Sequence, residues 1–269
     1  MPELPEVETI VRGLRDPLLG KRVVGARLRR KTLYRRGSLP LRRLIARTVV
    51  SVDRVGKNAV LRFEPTAVLL INLGMTGQLE LWEAGAQSMG NPKHFHARVR
   101  FAGGTELRYF DARRFGHFYV AEACDLEQDL NIGPDPFIAT PTHLRRVLYG
   151  RTAPIKSLLL DQRVLSGIGN IYADETLFLA RIDPRTDGGE VLPNARRVLS
   201  SARTILNRAI DHGGSTLRDY RKHDGSKGGF QVHHAVYGRE GEGCIRCGRA
   251  IHKIMLGGRG THFCPRCQK

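Results

Sequence analysis

The sequence has no long apolar run and no lipidation motif, so nothing in it marks a membrane-spanning segment or an anchor. A secretory signal peptide is missing as well, which makes the cytoplasm the expected compartment and disulfides unlikely for the five cysteines. Its Gly-x-Gly-Asn turn satisfies neither a dinucleotide-binding nor a P-loop pattern. Acidic residues are scarce: 26 Asp and Glu stand against 44 Lys and Arg, a net charge of +18. An excess of that size implies a polyanionic partner, with nucleic acid well ahead of a membrane surface. A generally basic solvated surface would give the same total, so the charge alone does not decide it. At 269 residues the chain is long enough for about two domains and a substantial core.

The stretch around which the chain is organised is its start, Met1-Pro2-Glu3-Leu4-Pro5-Glu6. Removal of Met1 would leave Pro2 as a secondary amine beside the carboxylate of Glu3. An α-amino group titrates near about 7.7–8.0, so a useful fraction is an uncharged nucleophile at neutral pH. Attack of such an amine on an aldehyde carbon gives an iminium, cationic without a proton and ready to accept electrons in an elimination. Glu3 is placed to move protons for it. Equally, Pro-Glu pairs open ordinary helices, and taken by itself that reading is the stronger. Val7, Ile10, Val11 and Leu14 fall on one helical face, predicting a helix opened by Pro5 and closed between Gly13 and Gly20.

Strand-length runs then recur up to about residue 120: Val23 to Arg29, Val49 to Val55, Ala59 to Phe63, Val68 to Leu73, Gln78 to Trp82, Phe95 to Phe101, Glu106 to Phe110 and Gly116 to Val120. Short strands separated by Gly, Asp and Pro predict a sandwich or barrel. Two turns put apolar residues where a sheet does not need them: Leu73-Gly74-Met75-Thr76-Gly77 and Asp111-Ala112-Arg113-Arg114-Phe115-Gly116. Exposed Met and Phe tips suit wedges that enter a base stack, although a buried Met and a core Phe are the plainer alternatives for either residue taken singly. His94 and His96 alternate on a strand as exposed polar positions, and Gly56-Lys57 forms another turn.

Residues 131–136 read as a linker, after which the periodicity becomes helical. Ala195, Val198, Leu199, Ala202, Ile205, Leu206, Ala209 and Ile210 make one apolar stripe. Upstream, Pro154 to Leu160 and Ile171 to Ala180 flank a Gly-rich turn ending in Asn170, a good N-cap. That turn is either a phosphate seat or an ordinary helix connection. Cys244-x2-Cys247 and Cys264-x2-Cys267 have the spacing of a four-cysteine zinc site, closed and therefore structural. Between the pairs, residues 257–262 form a flexible basic hairpin tip suited to reaching into DNA. Cys124 is left over as a small buried residue.

Five ordered motifs, Pro-Glu-Leu-Pro-Glu-Val-Glu-Thr, Leu-Gly-Met-Thr-Gly, Asp-x-Arg-Arg-Phe-Gly, Gly-Ile-Gly-Asn-Ile-Tyr-Ala and the terminal Cys-x2-Cys pairs, resemble formamidopyrimidine-DNA glycosylase across essentially the whole chain. The resemblance implies an α+β protein. It would have a catalytic β-sandwich domain with its N-terminal helix over 1–130, the 131–136 linker, a helical domain with a helix-two-turn-helix over 137–238 and a zinc finger over 239–269. It implies base-excision repair of oxidised purines in double-stranded DNA, followed by lyase cleavage of the strand. One structural zinc ion, no redox cofactor, no membrane, a monomer and a nucleoid-associated place in a bacterial cytoplasm complete the expectation.

The same resemblance makes Pro2 the nucleophile, Glu3 the acid and base, and Lys57 and Arg259 further catalytic groups. Met75, Arg113 and Phe115 match the residues that fill the gap left by an everted base. Asn72, His94, Arg114, Lys156 and Asn170 fall at DNA-contacting positions, and Arg218 to Phe230 matches the segment that closes over the extruded base. Two positions depart from the pattern: Asn72 stands where His is expected and Ala112 where Pro is expected. Asn still donates a hydrogen bond to phosphate but cannot become cationic. Ala112 removes a turn constraint. The alternatives are a relative acting on oxidised pyrimidines, in which Gly is expected in place of Leu4, and a non-catalytic zinc-dependent binder of damaged DNA.

Overall fold

The computed structural model describes residues 1–88, 90–122 and 126–269; Cys124 lies outside them. The chain divides into two compact units, 1–129 with 212–229, and 130–211 with 230–269. The loop 212–229 thus groups with the first unit, whereas the sequence partition assigns it to the helical domain.

The first unit begins with α1 (Leu4–Leu18), whose buried face carries Val7, Ile10, Val11, Leu14 and Leu18. The helix ends within the expected Gly13–Gly20 interval, and the His223 ring lies where a Cβ on Gly13 would project. Eight strands follow: β1 (Val23–Leu28), β2 (Val49–Val55), β3 (Asn58–Phe63), β4 (Ala67–Asn72), β5 (Gly77–Trp82), β6 (Phe95–Phe101), β7 (Glu106–Asp111) and β8 (His117–Glu122). They form two four-stranded sheets, ordered β1-β6-β7-β5 and β2-β3-β4-β8. All the pairings are antiparallel. Val23, Val99, Leu107 and Tyr109 of one sheet share a core with Leu61, Leu69, Ile71 and Phe118 of the other. The side chains of α1 join the same core, packing on β2 and β3. Burial of so many aliphatic side chains, at roughly 1.5–3 kcal/mol each, is the main force holding the sandwich.

The second unit is helical: α3 (Pro141–Leu148), α4 (Ile155–Leu160), α5 (Asn170–Ala180) and α6 (Ala195–Asp211), after the short α2 (Leu126–Leu130) at the boundary. Every residue of the predicted α6 stripe is buried. α5 is buried almost all round and is the axis against which α4 and α6 pack. The turn between α4 and α5 is held by Gln162, whose Nε2 donates to the carbonyls of Leu160 and Ile168 and whose Oε1 accepts from Gly167 N. Its N-cap is Gly169 and not Asn170, which is the first helical residue. A two-stranded ribbon, β9 (His252–Leu256) with β10 (Arg259–Phe263), ends the chain. Phe178 of α5 packs with Ile251, Cys244 and Cys264 beneath it.

Candidate nucleic-acid interface

Pro2 is buried and Glu3 is only 4 % exposed at the mouth of α1. Glu3 and Glu6 form a reciprocal capping box, in which the Glu3 amide donates to Glu6 Oε2 at 2.8 Å. This fixes the backbone that follows Pro2 and satisfies amides that a helix start leaves unpaired. The other oxygen, Glu6 Oε1, accepts from Ser215 N at 2.7 Å, and Tyr220 Oη lies 3.3 Å from Glu6 O. Burial, and after it the charge of Glu6, holds the Tyr220 phenol well above its ordinary pKa, so it stays a neutral donor. Loop 212–229 is further held by Gln78 Nε2 donating to Asp219 O and by Leu81 N donating to His223 O. Between this loop and the sheet edge is a cleft of about 350 Å³, lined among others by Gln78, His94, Asp111, Arg221 and Lys222.

Lys57 is half-buried on the β2–β3 turn after Gly56, which takes a left-handed φ of 58°. Asn58 and Asn72 are register partners on β3 and β4, and Asn72 Nδ2 donates to Asn58 Oδ1 at 2.8 Å. Asn72 Oδ1 accepts from Gly74 N at 2.9 Å, and Asn58 Nδ2 donates to Val55 O. The amide that replaces the expected His therefore ties the Lys57 turn to the Met75 turn.

Met75 is 41 % exposed and Phe115 is 55 % exposed, so the apolar tips of both singled-out turns face outward. The Arg113 guanidinium lies 4.6 Å from the centre of the Phe115 ring, a cation–π contact that shapes the tip. Arg114 is exposed and adopts a left-handed φ of 58°, a conformation that costs a non-glycine residue about 1–2 kcal/mol. At the base of both turns sits Asp111, fully buried. Burial would raise its pKa, but hydrogen bonds from Thr76, Gly116, Tyr109 and Arg114 outweigh it and hold the carboxyl below its ordinary range. His94 ends a one-turn helix capped by Asn91 and is half-buried. His96, expected as an exposed strand position, is instead 6 % exposed, with Nε2 2.9 Å from Asp111 O.

In the second unit Arg259 is exposed beside the left-handed Gly257-Gly258 turn of the ribbon. Lys156, expected among the DNA contacts, is fully buried. Its Nζ pairs with Asp174 Oδ1 at 2.7 Å and donates to Gly260 O at 2.9 Å and Thr261 Oγ1 at 2.8 Å. Asp174 Oδ2 accepts from His262 N at 2.9 Å, and Asn170 Nδ2 donates to Gly260 O at 3.1 Å. Lys156 is thus a strut that fixes the strand behind Arg259, because an ammonium with buried partners on α5 and β10 has no face left for a phosphate. Sequence reasoning had no role for Asp174, or for Glu175, whose carboxylate accepts from the amides of Ala235, Val236 and Tyr237. Burial pushes the Glu175 carboxyl up in spite of those bonds.

The Sγ atoms of Cys244, Cys247, Cys264 and Cys267 lie within 4.8 Å of one another, two of the pairs at 3.9 and 3.5 Å. A tetrahedral zinc with Zn–S near ~2.3 Å requires sulfur separations of about 3.8 Å, so the donor set and its spacing fit. Arg246 N donates to Cys244 Sγ at 3.4 Å, the kind of outer bond that orients a thiolate ligand.

Residues 1–118 match the formamidopyrimidine-DNA glycosylase N-terminal domain and 132–221 its H2TH domain. Residues 241–269 match the zinc finger found in FPG and IleRS. A formamidopyrimidine-DNA glycosylase of Rhizorhabdus wittichii is 41% identical over 100% of both chains. The chain belongs to the formamidopyrimidine-DNA glycosylase family. Among solved members of that family, MutM in complex with DNA containing carbocyclic 8-oxo-G superposes with a TM-score of 0.89 at 33% identity, covering 100% of both chains. Lactococcus lactis Fpg bound to DNA containing an abasic site gives 0.89 at 34% identity over 99% of both. Among the described residues, no helix is long and apolar enough to cross a membrane. The family's four-cysteine finger accounts for a structural zinc ion.

Proposed function

We propose that this protein removes oxidised purines from duplex DNA and cuts the strand at the resulting site, with the nitrogen of Pro2 as the nucleophile. The observation that carries the reading is the mouth of α1. There a buried Pro2-Glu3 pair is held by the Glu3–Glu6 capping box, on a chain otherwise rich in phosphate-binding charge.

Met1 must first be cleaved, which frees the Pro2 secondary amine. With the damaged nucleotide turned out of the stack, at a cost of a few kcal/mol, that amine adds to C1′. The bond from C1′ to the damaged base breaks, the proton given up by the Pro2 nitrogen goes to the departing base nitrogen, and the base leaves neutral. Glu3 hands a proton to the ring oxygen as the sugar opens, and C1′ becomes doubly bonded to a cationic nitrogen. The iminium draws electrons from the C2′–H bond. Loss of that proton expels the 3′ phosphate, and a second elimination expels the 5′ phosphate. Water then hydrolyses the remaining iminium and restores the amine.

Lys57 and Arg259 supply positive charge to the phosphates that leave. Met75, Arg113 and Phe115 occupy the space vacated by the base, while His94, Arg114 and Asn170 contact the backbone. Asn72 serves by holding the Lys57 and Met75 turns, and Lys156 by holding the ribbon that bears Arg259. Loop 212–229, clamped by Glu6, covers the extruded base. The zinc ion holds the terminal ribbon folded and takes part in no step. The protein acts as a monomer on nucleoid DNA in the cytoplasm.

The test is borohydride trapping on an 8-oxoguanine:cytosine duplex, with the N-terminus checked by mass. A covalent protein–DNA band that depends on the lesion and is lost in Pro2→Gly and weakened in Glu3→Gln is the expected result. Lesion-selective binding with no trapped band would refute the catalytic reading.

A further inference from the structure

We propose that Asp111 is a positioning residue that joins the Met75 turn and the Phe115 turn into one wedge, so that both tips enter the base stack in a single step. The inference rests on the function proposed above and concerns how its wedge is built.

The two oxygens of the Asp111 carboxylate serve the two turns. Oδ1 accepts from Thr76 Oγ1 at 2.5 Å, next to Met75, while Oδ2 accepts from Gly116 N at 2.9 Å, next to Phe115. Thr76 closes the link, because its Oγ1 also accepts from Arg113 N at 3.1 Å; that amide lies 3.2 Å from Asp111 Oδ1. Tyr109 Oη donates to Asp111 Oδ2 at 2.9 Å, and its ring stands edge-on to Phe118 with centroids 5.0 Å apart, which fixes the anchor to the sandwich core.

The backbones of the two turns also touch. A Cβ on Gly74 would lie 2.5 Å from both Gly116 N and the carbonyl carbon of Phe115, and one on Gly116 would lie 2.5 Å from Asn72 O. Gly74 is therefore required by contact with the Phe115 turn, and Gly116 by contact with Tyr109 Oη and with the end of β4. Exposed apolar tips thus stand on a buried, charge-assisted base, and moving one tip alone would strip hydrogen bonds from a buried carboxylate. Entering the stack as one body, with the anchored carboxylate at its base, keeps all of them.

Asp111→Asn is the direct variant, but it places an amide donor against amide donors and threatens the fold. Thr76→Val instead removes the hydroxyl that bridges the turns and leaves in place the bonds that Asp111 accepts from Tyr109 and Gly116 and the backbone contact at Gly74. The experiment is a double-mutant cycle of Met75→Ala and Phe115→Ala on single-turnover excision of 8-oxoguanine, run in the native, Thr76→Val and Thr76→Ser backgrounds. A 2-aminopurine beside the lesion reports unstacking in the same mixtures.

In the native background the two substitutions should be coupled by about tenfold, a size usual for residues acting through shared partners. Unstacking should occur in one kinetic phase. Thr76→Val should make the effects multiply independently and split the unstacking into two phases. Thr76→Ser, which keeps the hydroxyl, should restore both native signatures, as a merely structural role would not require. Unchanged coupling and one phase in a folded Thr76→Val protein would overturn the proposal. Borohydride trapping of the native protein, run alongside, separates that result from failure of the functional reading, in which the native protein itself would not be trapped.

Discussion

Replacing Lys156 by Met separates two roles that a lysine in a DNA-binding protein can have. The side chains of Lys156 and Asp174 are both 0% exposed, and their charged atoms are 2.7 Å apart. Methionine fills the space but leaves the Asp174 carboxylate buried with hydrogen bonds from the His262 backbone, and it removes a donor from Gly260 O and Thr261 Oγ1. Breaking one side of such a pair costs about 3–5 kcal/mol, most of it the penalty of an uncompensated buried charge. With a urea dependence of ~2 kcal/mol per molar, the unfolding transition of the helical and zinc-bearing unit should fall by about 1.5–2.5 M.

The assay is urea denaturation followed by zinc release to a colorimetric chelator, beside a salt titration of DNA binding. A lysine that met phosphate would behave in the opposite way. Its loss would leave stability within about 0.5 kcal/mol and reduce the slope of log affinity against log salt by about 0.9. That pattern is expected for Arg259→Ala, whose side chain is exposed. An unshifted urea midpoint with a reduced salt slope in Lys156→Met would refute the strut.

Three further outcomes follow from the same geometry. The Asp111 carboxyl is held below its ordinary value of 3.8, so its contribution to stability is present above that value and is lost as pH falls through the lower folded value. The melting temperature of the native protein should therefore drop more steeply below pH 3.8 than that of Asp111→Asn, and parallel curves would contradict the assignment. Glu6→Ala removes the acceptor of both Glu3 N and Ser215 N, each worth about 1–3 kcal/mol if left buried and unpaired. Amide exchange across 213–220 and at the start of α1 should accelerate together in that variant, measured by hydrogen-exchange mass spectrometry. Stripping zinc with a chelator should unfold the β9–β10 ribbon and weaken DNA binding while leaving exchange in the β2–β3–β4–β8 sheet unchanged; loss of protection in that sheet would show that the metal supports more than its own finger.

The strands and the long helices were legible because their signals are local: alternation for the eight strands, and the apolar stripes of α1 and α6. What was not legible depends on partners far along the chain. The reason for a glycine at position 13 could not be read, because what it makes room for is the ring of His223. Lys156 was counted as a DNA contact because it is basic and lies in a recognisable motif. Its actual partners are on the next helix and on a ribbon more than 100 residues later. Asp111 was given no role of its own in the Arg-Arg-Phe turn, because it points inward to a hydroxyl, a phenol and backbone amides that no spacing reveals.

These cases share a cause, and it bears on function. Glu3, Glu6, Asp111, Asp174 and Glu175 are all buried, in a chain with only 26 acids. Four of them, all but Asp174, accept hydrogen bonds from backbone amides. Acids committed in this way do not neutralise exposed arginines such as Arg113, Arg114 and Arg259. The scarcity of acid in the sequence therefore understates how little of it faces the DNA. The same carboxylates that hold the turns in shape leave the arginines at the tips of those turns without an ion-pair partner among the described residues.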